Sequence, residues 1–399
     1  MERMRTVGPG ALLAVLMAVS GALLLYVGRG MTFFFDEWDF VQRRHDGIDS
    51  LLAPHNEHLS LLPVAVYKVL FATVGLAPHW PYQALLVALH LLVGLLVFRL
   101  ASPRIGPWGA VAAAAVVLFC GRAWEDLVWA LERDARRGDV IAAVALAASI
   151  ASSSLGIPFA AGVAAEIVWS RRWKRLWVVA APLALYAVWY LGHGASTIKG
   201  ENAGPGLEWA AQAAAAAAGA VLGVGMSAGW VVLAVIAALV VWGRSPTPRL
   251  IGLLAVVGSF WLLTGLARAG ISTPDSSRYL YIGAVVLVLV IAEALRERAL
   301  GRPALAVAAA VATASVALSQ DELRGGARSL RTISDVVQAE LGALEALRGR
   351  VPADFRPDVG RAPQIVAGDY FEAVDRTGDS PADRPEDIAA AGGEARAEA

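Results

Sequence analysis

Cysteine and charge are both scarce in this chain. Its 399 residues include a single cysteine, Cys120, which excludes a disulfide framework and a thiolate metal cluster. Charged residues make up 17% of the chain, whereas soluble domains average about 25%. The formal net charge is zero, so no overall field would attract a polyanion. An ordinary soluble enzyme, a disordered protein and a nucleic-acid-binding protein are therefore excluded.

Long apolar runs are what the chain has instead. Hydrophobic residues make up 57% of it, with a mean hydropathy of +0.57. About 20 mostly apolar residues span a membrane, and the run 9–28 is the first that is long enough. It leads into three phenylalanines rather than a small-residue cleavage site, which favours a span over a signal peptide. Further predicted spans are 81–100, 107–123, 176–192, 229–242, 250–266, 279–295 and 304–319. We predict an all-α, polytopic transmembrane bundle of about nine or ten spans.

Two apolar stretches do not fit a simple span. The stretch 140–170 is interrupted at 152–158 by serine, glycine and proline. It is one long broken crossing, a re-entrant piece or a hairpin. Irregular backbone at membrane depth needs protein or a watery cavity around it. The stretch 208–226 is almost all alanine and glycine. It is either a weak span or a helix that lies against the bundle.

Arginines in the short loops predict the orientation. Clusters at 99–104, 171–175, 244–249 and 296–302 are typical of cytoplasmic loops. The protein is then a multi-pass cell-membrane protein whose N-terminus is cytoplasmic. The segments 29–80, 193–207 and 267–278, and the tail from Asp321, are extracytoplasmic.

The C-terminal part differs from the rest in composition. Residues 320–399 carry 16 acidic and 10 basic side chains. We divide the chain into a transmembrane bundle, 1–319, that includes a large first outer loop at 29–80, and an extracytoplasmic helical and extended tail, 320–378. Within the tail, apolar spacing predicts a helix at 321–350. A short helix is also predicted at 369–376. Residues 379–399 are rich in Pro, Asp, Ala, Gly and Glu, which predicts disorder.

The first outer loop holds the main candidate site. Asp36 and Glu37 follow the first span and three phenylalanines, where a carboxylate is desolvated unless it serves a function. A carboxylate there can act as general base for a sugar or lipid hydroxyl. The alternative is a solvated turn that caps a helix. The apolar stretch 59–77, which carries Lys68, predicts an amphipathic helix at the membrane surface.

The same loop adds His55, Glu57 and His58. Histidines three residues apart share a face if they lie on a helix, which would suit a metal pair. The spacing is not that of the HExxH zinc motif. We therefore assign no metal site, and predict polar contacts to a substrate or to Asp36.

Two further outer positions carry polar candidates. Glu125 and Asp126 form a second acidic cluster, for which a solvated loop is the alternative. Arg278 and Tyr279 stand at the mouth of the span 279–295. Arg278 can hold a phosphate through two hydrogen bonds, or can be an anchor that reaches the membrane surface.

Five stretches carry a family resemblance. They are Asp36-Glu37-Trp38, His55-Asn56-Glu57-His58, the segment 153–159, Ser277-Arg278-Tyr279-Leu280-Tyr281 and Asp354-Phe355-Arg356-Pro357. With a first-loop acidic pair, interfacial helices and a many-span body, the chain resembles the GT-C superfamily of membrane glycosyltransferases. The five stretches are most similar to those of a group of actinobacterial membrane proteins. GT-C enzymes take a sugar from a polyprenyl-phosphate carrier outside the cytoplasmic membrane.

The resemblance implies roles for the candidates. Asp36 looks like the catalytic carboxylate, with Glu37 beside it, and Arg278 looks like the holder of the carrier phosphate. The substrate-binding set would be His55, Glu57, His58, Glu125, Asp126, Arg278 and Tyr279. The donor would be a polyprenyl-phosphate sugar carried in the membrane, and the acceptor an envelope glycan, lipid or protein. No other cofactor is implied, and a requirement for a divalent metal stays open.

The chain departs from its relatives after Trp129. Relatives carry an extra span there, whereas this chain runs directly into the charged segment 132–137. Two other functions stay open. A transporter or lipid flippase would show buried mid-span charges and paired broken helices. A non-catalytic, possibly degenerate assembly partner of envelope enzymes would tolerate the loss of Asp36.

Overall fold

A computed structural model describes residues 8–44, 47–56, 58–123, 138–194, 200–243, 246–298 and 300–399. These residues form helices and no strands. In chain order the helices are α1 (Pro9–Val27), α2 (Glu37–Arg43), α3 (Asp49–Leu52), α4 (Leu61–Thr73), α5 (Trp80–Leu118), α6 (Gly138–Ser152), α7 (Gly156–Trp169), α8 (Trp177–His193), α9 (Ala203–Val221), α10 (Met226–Trp242), α11 (Pro248–Arg268), α12 (Ser277–Ala294), α13 (Arg302–Ala346), α14 (Ala367–Thr377), α15 (Pro385–Ala390) and α16 (Gly393–Glu398).

Six of the described helices are long and apolar enough to cross a membrane. They are α1, α5, α8, α11, α12 and α13. The described part of the chain is thus all-helical with about six candidate spans, or seven if the bent pair α9–α10 counts as one more. The nine or ten predicted from apolar runs exceed this number, and three local features explain the difference.

The first feature is α5, which combines two predicted spans. Gly106 has φ +75° inside it, a backbone conformation that glycine adopts readily. The His90 ring lies 3.1 Å from the carbonyl oxygen of Leu118, 28 residues further on. A straight helix would separate these residues by about 42 Å. The two halves therefore fold back on each other, as the separate spans 81–100 and 107–123 predict.

The second feature is the alanine-rich α9. Residues 213–221 are all buried, and α9 is bent by 87° from α10 at the break 222–225. A Cβ on Gly229 of α10 would lie 1.9 Å from the carbonyl oxygen of Ala215, so the two helices touch through glycine and alanine backbone. The stretch is therefore a buried helix against the bundle, one of its two predicted readings.

The third feature is the interrupted stretch 140–170. It forms two short apolar helices, α6 and α7, that end and begin at the predicted break. A Cβ on Gly156 would lie 2.5 Å from the backbone nitrogen of Ile150, so the chain doubles back tightly at this glycine. With 15 and 14 residues, each helix is shorter than the usual length of a span.

The chain divides into two compact units. The bundle unit comprises residues 1–24, 56–58 and 86–323, and the loop–tail unit comprises 25–55, 59–85 and 324–399. The first outer loop therefore belongs with the tail, whereas the sequence assigned it to the bundle.

A network of buried hydrogen bonds joins three helices inside the bundle unit. The Leu118 carbonyl accepts hydrogen bonds from the Ser20 hydroxyl at 2.7 Å and from His90 Nε2 at 3.1 Å. His90 Nδ1 lies 2.8 Å from the Tyr281 hydroxyl, and the His90 side chain is completely buried. Both ring nitrogens are satisfied, so we interpret His90 as a structural residue that joins α1, α5 and α12.

Contacts between residues about 300 positions apart hold the loop–tail unit together. The Thr32 amide donates to the Ser334 hydroxyl at 3.1 Å. The Val366 amide donates to the Gln42 side chain at 3.0 Å, and Arg376 donates to the Val41 carbonyl at 3.1 Å. Trp38 and Tyr370 are completely buried in its core. The predicted tail helix 369–376 is confirmed as α14.

Composition alone predicts disorder from residue 379, but the structure differs. Ser380 donates to Glu345, and Ala395 of α16 is buried against Val336 and Ala339 of α13. Specific hydrogen bonds and one small apolar contact hold this segment in place. Neither can be inferred from composition. The predicted span 304–319 and helix 321–350 are also one helix, α13.

We expect Asp379→Ala to destabilise the loop–tail unit by about 2–4 kcal/mol. The Asp379 carboxylate accepts backbone hydrogen bonds from Leu76 and Ala77 at 2.8–2.9 Å. Gly75, with φ +81°, lies so close that a Cβ would sit 2.3 Å from a carboxylate oxygen. Chemical denaturation of the detergent-solubilised protein measures the effect. Asp375→Ala, which removes an exposed ion pair with Arg348, is the matched control and should leave the denaturation midpoint nearly unchanged.

A buried glutamate makes the stability of the same unit depend on pH. Burial, together with the neighbouring Asp358 and Glu398 and against the opposing charge of Arg361, raises the pKa of Glu340 to about 7. The folded protein thus binds a proton that the unfolded chain releases near its ordinary pKa of 4.5. The contribution of Glu340 to stability is therefore largest below about pH 4.5 and is lost as the pH rises to 7, by at most about 1.4 kcal/mol per pH unit. The difference between the melting temperatures of wild type and Glu340→Gln, measured across pH 4–8, isolates this dependence on pH. A pH-independent difference would contradict it.

Candidate acid–base site

The site begins where α2 starts, after the three phenylalanines. Glu37 fixes this start, because one carboxylate oxygen accepts the Phe34 amide at 2.7 Å and the other accepts the Tyr67 hydroxyl. Burial, together with the Glu37 charge, holds the pKa of Tyr67 well above its ordinary value, so Tyr67 remains a donor. Both oxygens of Glu37 are thus engaged by the protein. Its side chain anchors the helix start that presents Asp36.

Asp36 is the exposed member of the acidic pair. It stands at the N-cap position of α2, but its side chain makes no capping hydrogen bond. Its backbone carbonyl accepts the Asp39 amide at 3.1 Å, and its side chain is 38% exposed. The capping role that the sequence offered as the alternative is therefore not what its carboxylate does.

Asp39 and His55 form a close pair beside it. His55 Nδ1 lies 3.0 Å from Asp39 Oδ2. Burial raises the pKa of Asp39, but the hydrogen bond and the charge of His55, with Arg44 and Arg43, outweigh burial and lower it overall. Asp39 is therefore an ionised carboxylate that can only accept, so His55 Nδ1 carries the hydrogen.

The other ring nitrogen of His55 points at Asp36. Nε2 lies 3.8 Å from Asp36 Oδ2, and it has no hydrogen-bond partner among the described residues. His55 is only 7% exposed, and the Phe40 ring packs on it with the centroids 4.7 Å apart. A buried imidazole, oriented by one aspartate, thus faces a second aspartate that solvent can reach.

Arg44 holds His55 in place. It is almost fully buried, and its guanidinium donates to the carbonyls of Ser50, Ala53 and Pro54 at 2.7–3.1 Å. It also reaches Asp39 at 3.4 Å. The residues that lead into His55 are therefore tied to the carboxylate that orients its ring.

The backbone beside the site is strained at one position. Phe35, directly before Asp36, has φ +44°, which is uncommon for a bulky residue. Its ring is 38% exposed and lies edge-on to Phe34 at 4.8 Å. Strain of this kind concentrates at functional sites.

The structure separates the remaining sequence candidates. His58 belongs to the bundle unit, where its Nδ1 lies 2.6 Å from the Ser154 hydroxyl. Residues 55 and 58 are not on a helix, so the shared helical face does not form. Glu57, Glu125 and Asp126 lie outside the described residues. No group of three His, Cys, Asp or Glu side chains in the described ranges is arranged to hold a metal ion.

Arg278 and Tyr279 also belong to the bundle unit. The Arg278 guanidinium lies 5.1 Å from the centre of the Tyr279 ring. The Tyr279 hydroxyl accepts from Ser272 at 3.3 Å, and its ring packs edge-on against Trp209. Arg278 itself is exposed at the start of α12.

Sequence reasoning missed Asp39 and Arg44. Asp39 lies three residues after Asp36, which on α2 is a neighbouring position and was the available signal. Arg44 gave no signal, because its function depends on the path of residues 50–54.

Comparison with protein-family models, curated proteins and solved structures finds no match to this chain. Its function is therefore inferred from its own residues.

Proposed function

We propose that this protein is a GT-C-like membrane glycosyltransferase. It would move a sugar from a polyprenyl-phosphate carrier to an envelope acceptor at the outer face of the cytoplasmic membrane. The observation that carries the proposal is the exposed Asp36 carboxylate beside a buried imidazole that Asp39 orients. Such a pairing of acid–base groups suits proton transfer from a hydroxyl.

The proposed reaction uses Asp36 as general base. The acceptor hydroxyl gives its proton to Asp36 as its oxygen forms a bond to the anomeric carbon of the donor sugar. The bond between that carbon and the phosphate oxygen breaks, and polyprenyl phosphate leaves with the electron pair. Arg278 is the proposed partner for the phosphate charge. Attack opposite the leaving group would invert the anomeric configuration.

Removing the gene from the host tests the proposal. Envelope glycans of the deletion strain should lose one sugar by mass spectrometry, and the wild-type gene should restore it. Unchanged glycans, lipids and glycoproteins in the deletion strain would refute glycosyl transfer as the function.

A lipid or glycan transporter is the second candidate, and the broken helices favour it. The α9–α10 pair is bent by 87°, and α6 and α7 form a second interrupted apolar segment. Two such segments are typical of transporters with internal repeats. Against it, Glu293 is buried but paired, with Arg104 at 2.5 Å and Thr247 at 2.8 Å. Vesicle assays with fluorescent phospholipid and polyprenyl-phosphate analogues test transport, which the proposed transferase would not perform.

A further inference from the structure

The turn between α7 and α8 carries a dense cluster of cations. Four of its residues are basic, namely Arg171, Arg172, Lys174 and Arg175, and all four are exposed. The candidate span that contains α8 runs from Trp173 to His193, so this turn stands at the end of a membrane crossing. The cluster therefore lies at a membrane surface, where the headgroups of phospholipids are.

Most of this positive charge has no acidic partner. Asp139, at the start of α6, lies 3.3 Å from Arg175. Among the described residues, no carboxylate forms an ion pair with Arg171, Arg172 or Lys174. Three positive charges are thus left for a ligand, and Lys and Arg side chains next to a membrane attract anionic headgroups.

The backbone of the turn is strained at its first arginine. α7 ends with the Arg171 amide donating to the Val168 carbonyl and the Arg172 amide donating to the Ile167 carbonyl, both at 3.0 Å. In this helix-ending motif the left-handed position is usually a glycine. Here it is Arg171, with φ +53°. Because the Arg171 side chain is exposed, packing inside the protein does not explain an arginine at this position.

Three tryptophans accompany the cations at intervals of four residues. Trp169 ends α7, Trp173 lies within the turn, and Trp177 begins α8. Their side chains are 51%, 55% and 43% exposed. Tryptophan rings are enriched at the level of the lipid headgroups, because one part of the ring is apolar and the other is polar. The neighbouring cations are then at the depth of the lipid phosphates.

We propose that the turn 169–177 is a binding surface for the headgroups of anionic phospholipids. Arg171, Arg172 and Lys174 bind the phosphate oxygens, and the tryptophan rings lie against the adjoining apolar part of the lipid. A free phosphate ion or an acidic soluble protein would match the cations, but neither offers the apolar surroundings that suit three exposed tryptophans. The proposal does not depend on sugar transfer.

Native mass spectrometry of the delipidated full chain tests this surface. The chain is titrated with phosphatidylglycerol, which is anionic, and with phosphatidylcholine, which is zwitterionic. The triple variant Arg171→Gln, Arg172→Gln, Lys174→Gln should bind its tightest phosphatidylglycerol about tenfold or more weakly than wild type does. Its affinity for phosphatidylcholine should change little. The variant should fold, because all three side chains are exposed.

A second triple variant controls for net charge. Arg328→Gln, Arg350→Gln and Arg384→Gln remove three exposed arginines of the loop–tail unit and should leave lipid binding unchanged. In wild type, raising the ionic strength from about 0.05 to about 0.5 M should weaken the binding of phosphatidylglycerol but not of phosphatidylcholine, because salt screens exposed charges. This comparison needs no variant.

Asp139→Asn predicts a change in the opposite direction. It releases Arg175 from its ion pair and adds one positive charge to the surface. Phosphatidylglycerol should then bind about two- to fivefold more tightly than to wild type. Weaker or unchanged binding would contradict the role of charge in this turn.

The remaining outcomes also decide the proposal. It is overturned if wild type does not prefer phosphatidylglycerol, if the triple variant at 171–174 binds it as tightly as wild type, or if the control variant loses as much affinity. Displacement of the lipid by millimolar inorganic phosphate would assign the cations to a free anion and overturn it too. Preference for phosphatidylglycerol that depends on the turn, without any sugar transfer, would support this surface and refute only the transferase.

Discussion

Asp36→Asn should lower sugar transfer by about 10²–10⁴-fold, the range that general-base catalysis contributes. Asparagine keeps the size of the side chain but cannot take a proton at neutral pH. The fold should survive, because the Asp36 side chain is exposed and the anchoring at the start of α2 belongs to Glu37. Expression in the deletion strain, with glycan mass spectrometry and membrane protein levels measured together, reads out the loss.

Two variants control for indirect effects. Asp369→Asn changes an exposed carboxylate near Arg43 and should complement fully. Glu37→Gln removes a charge from a residue whose oxygens hold Phe34 and Tyr67, so it should lower stability as well as activity. Full complementation by Asp36→Asn at normal membrane levels would remove Asp36 from the mechanism and favour the assembly-partner function.

The second large effect is expected at Arg44. Arg44→Ala should destabilise the loop–tail unit by about 3–5 kcal/mol, because it leaves the partly buried Asp39 without its buried cation and frees the carbonyls of residues 50–54. His55 should lose its fixed position, so activity should fall even at temperatures where the protein stays folded. Thermal unfolding and the transfer assay measure the two losses.

The adjacent arginine is a matched control. Arg43 lies 3.5 Å from the same Asp39, but its side chain is 50% exposed. Exposed ion pairs contribute about 0–1 kcal/mol, so Arg43→Ala should be nearly neutral. Equal losses in the two variants would mean that positive charge near Asp39 supports the site, rather than the hydrogen bonds that the buried Arg44 makes.

The sequence predicted what depends on local patterns. Apolar runs located α1, α12 and both halves of α5, and the short tail helix predicted at 369–376 is α14. Position after a span singled out Asp36, since a carboxylate beside apolar residues is unusual wherever it occurs.

What depends on distant residues was not predictable. The charges at 321–324 look like the end of a span, yet they are compatible with one helix, and α13 continues through them. The packing of the first outer loop with the tail depends on pairs such as Thr32 and Ser334, for which a single sequence gives no signal. The Asp39–His55 pair depends in turn on the hydrogen bonds of Arg44. The sequence therefore showed these charged side chains but not their arrangement.

The most direct measurement of the central claim is donor consumption by the purified protein in nanodiscs. Polyprenyl-phosphate pentoses and hexoses, labelled with ¹³C at the anomeric carbon, would be supplied with envelope extract from the deletion strain. The account predicts that one donor releases polyprenyl phosphate, that its label enters the extract with inverted anomeric configuration, and that Asp36→Asn does neither. Intact donors throughout, or equal turnover by wild type and Asp36→Asn, would contradict it.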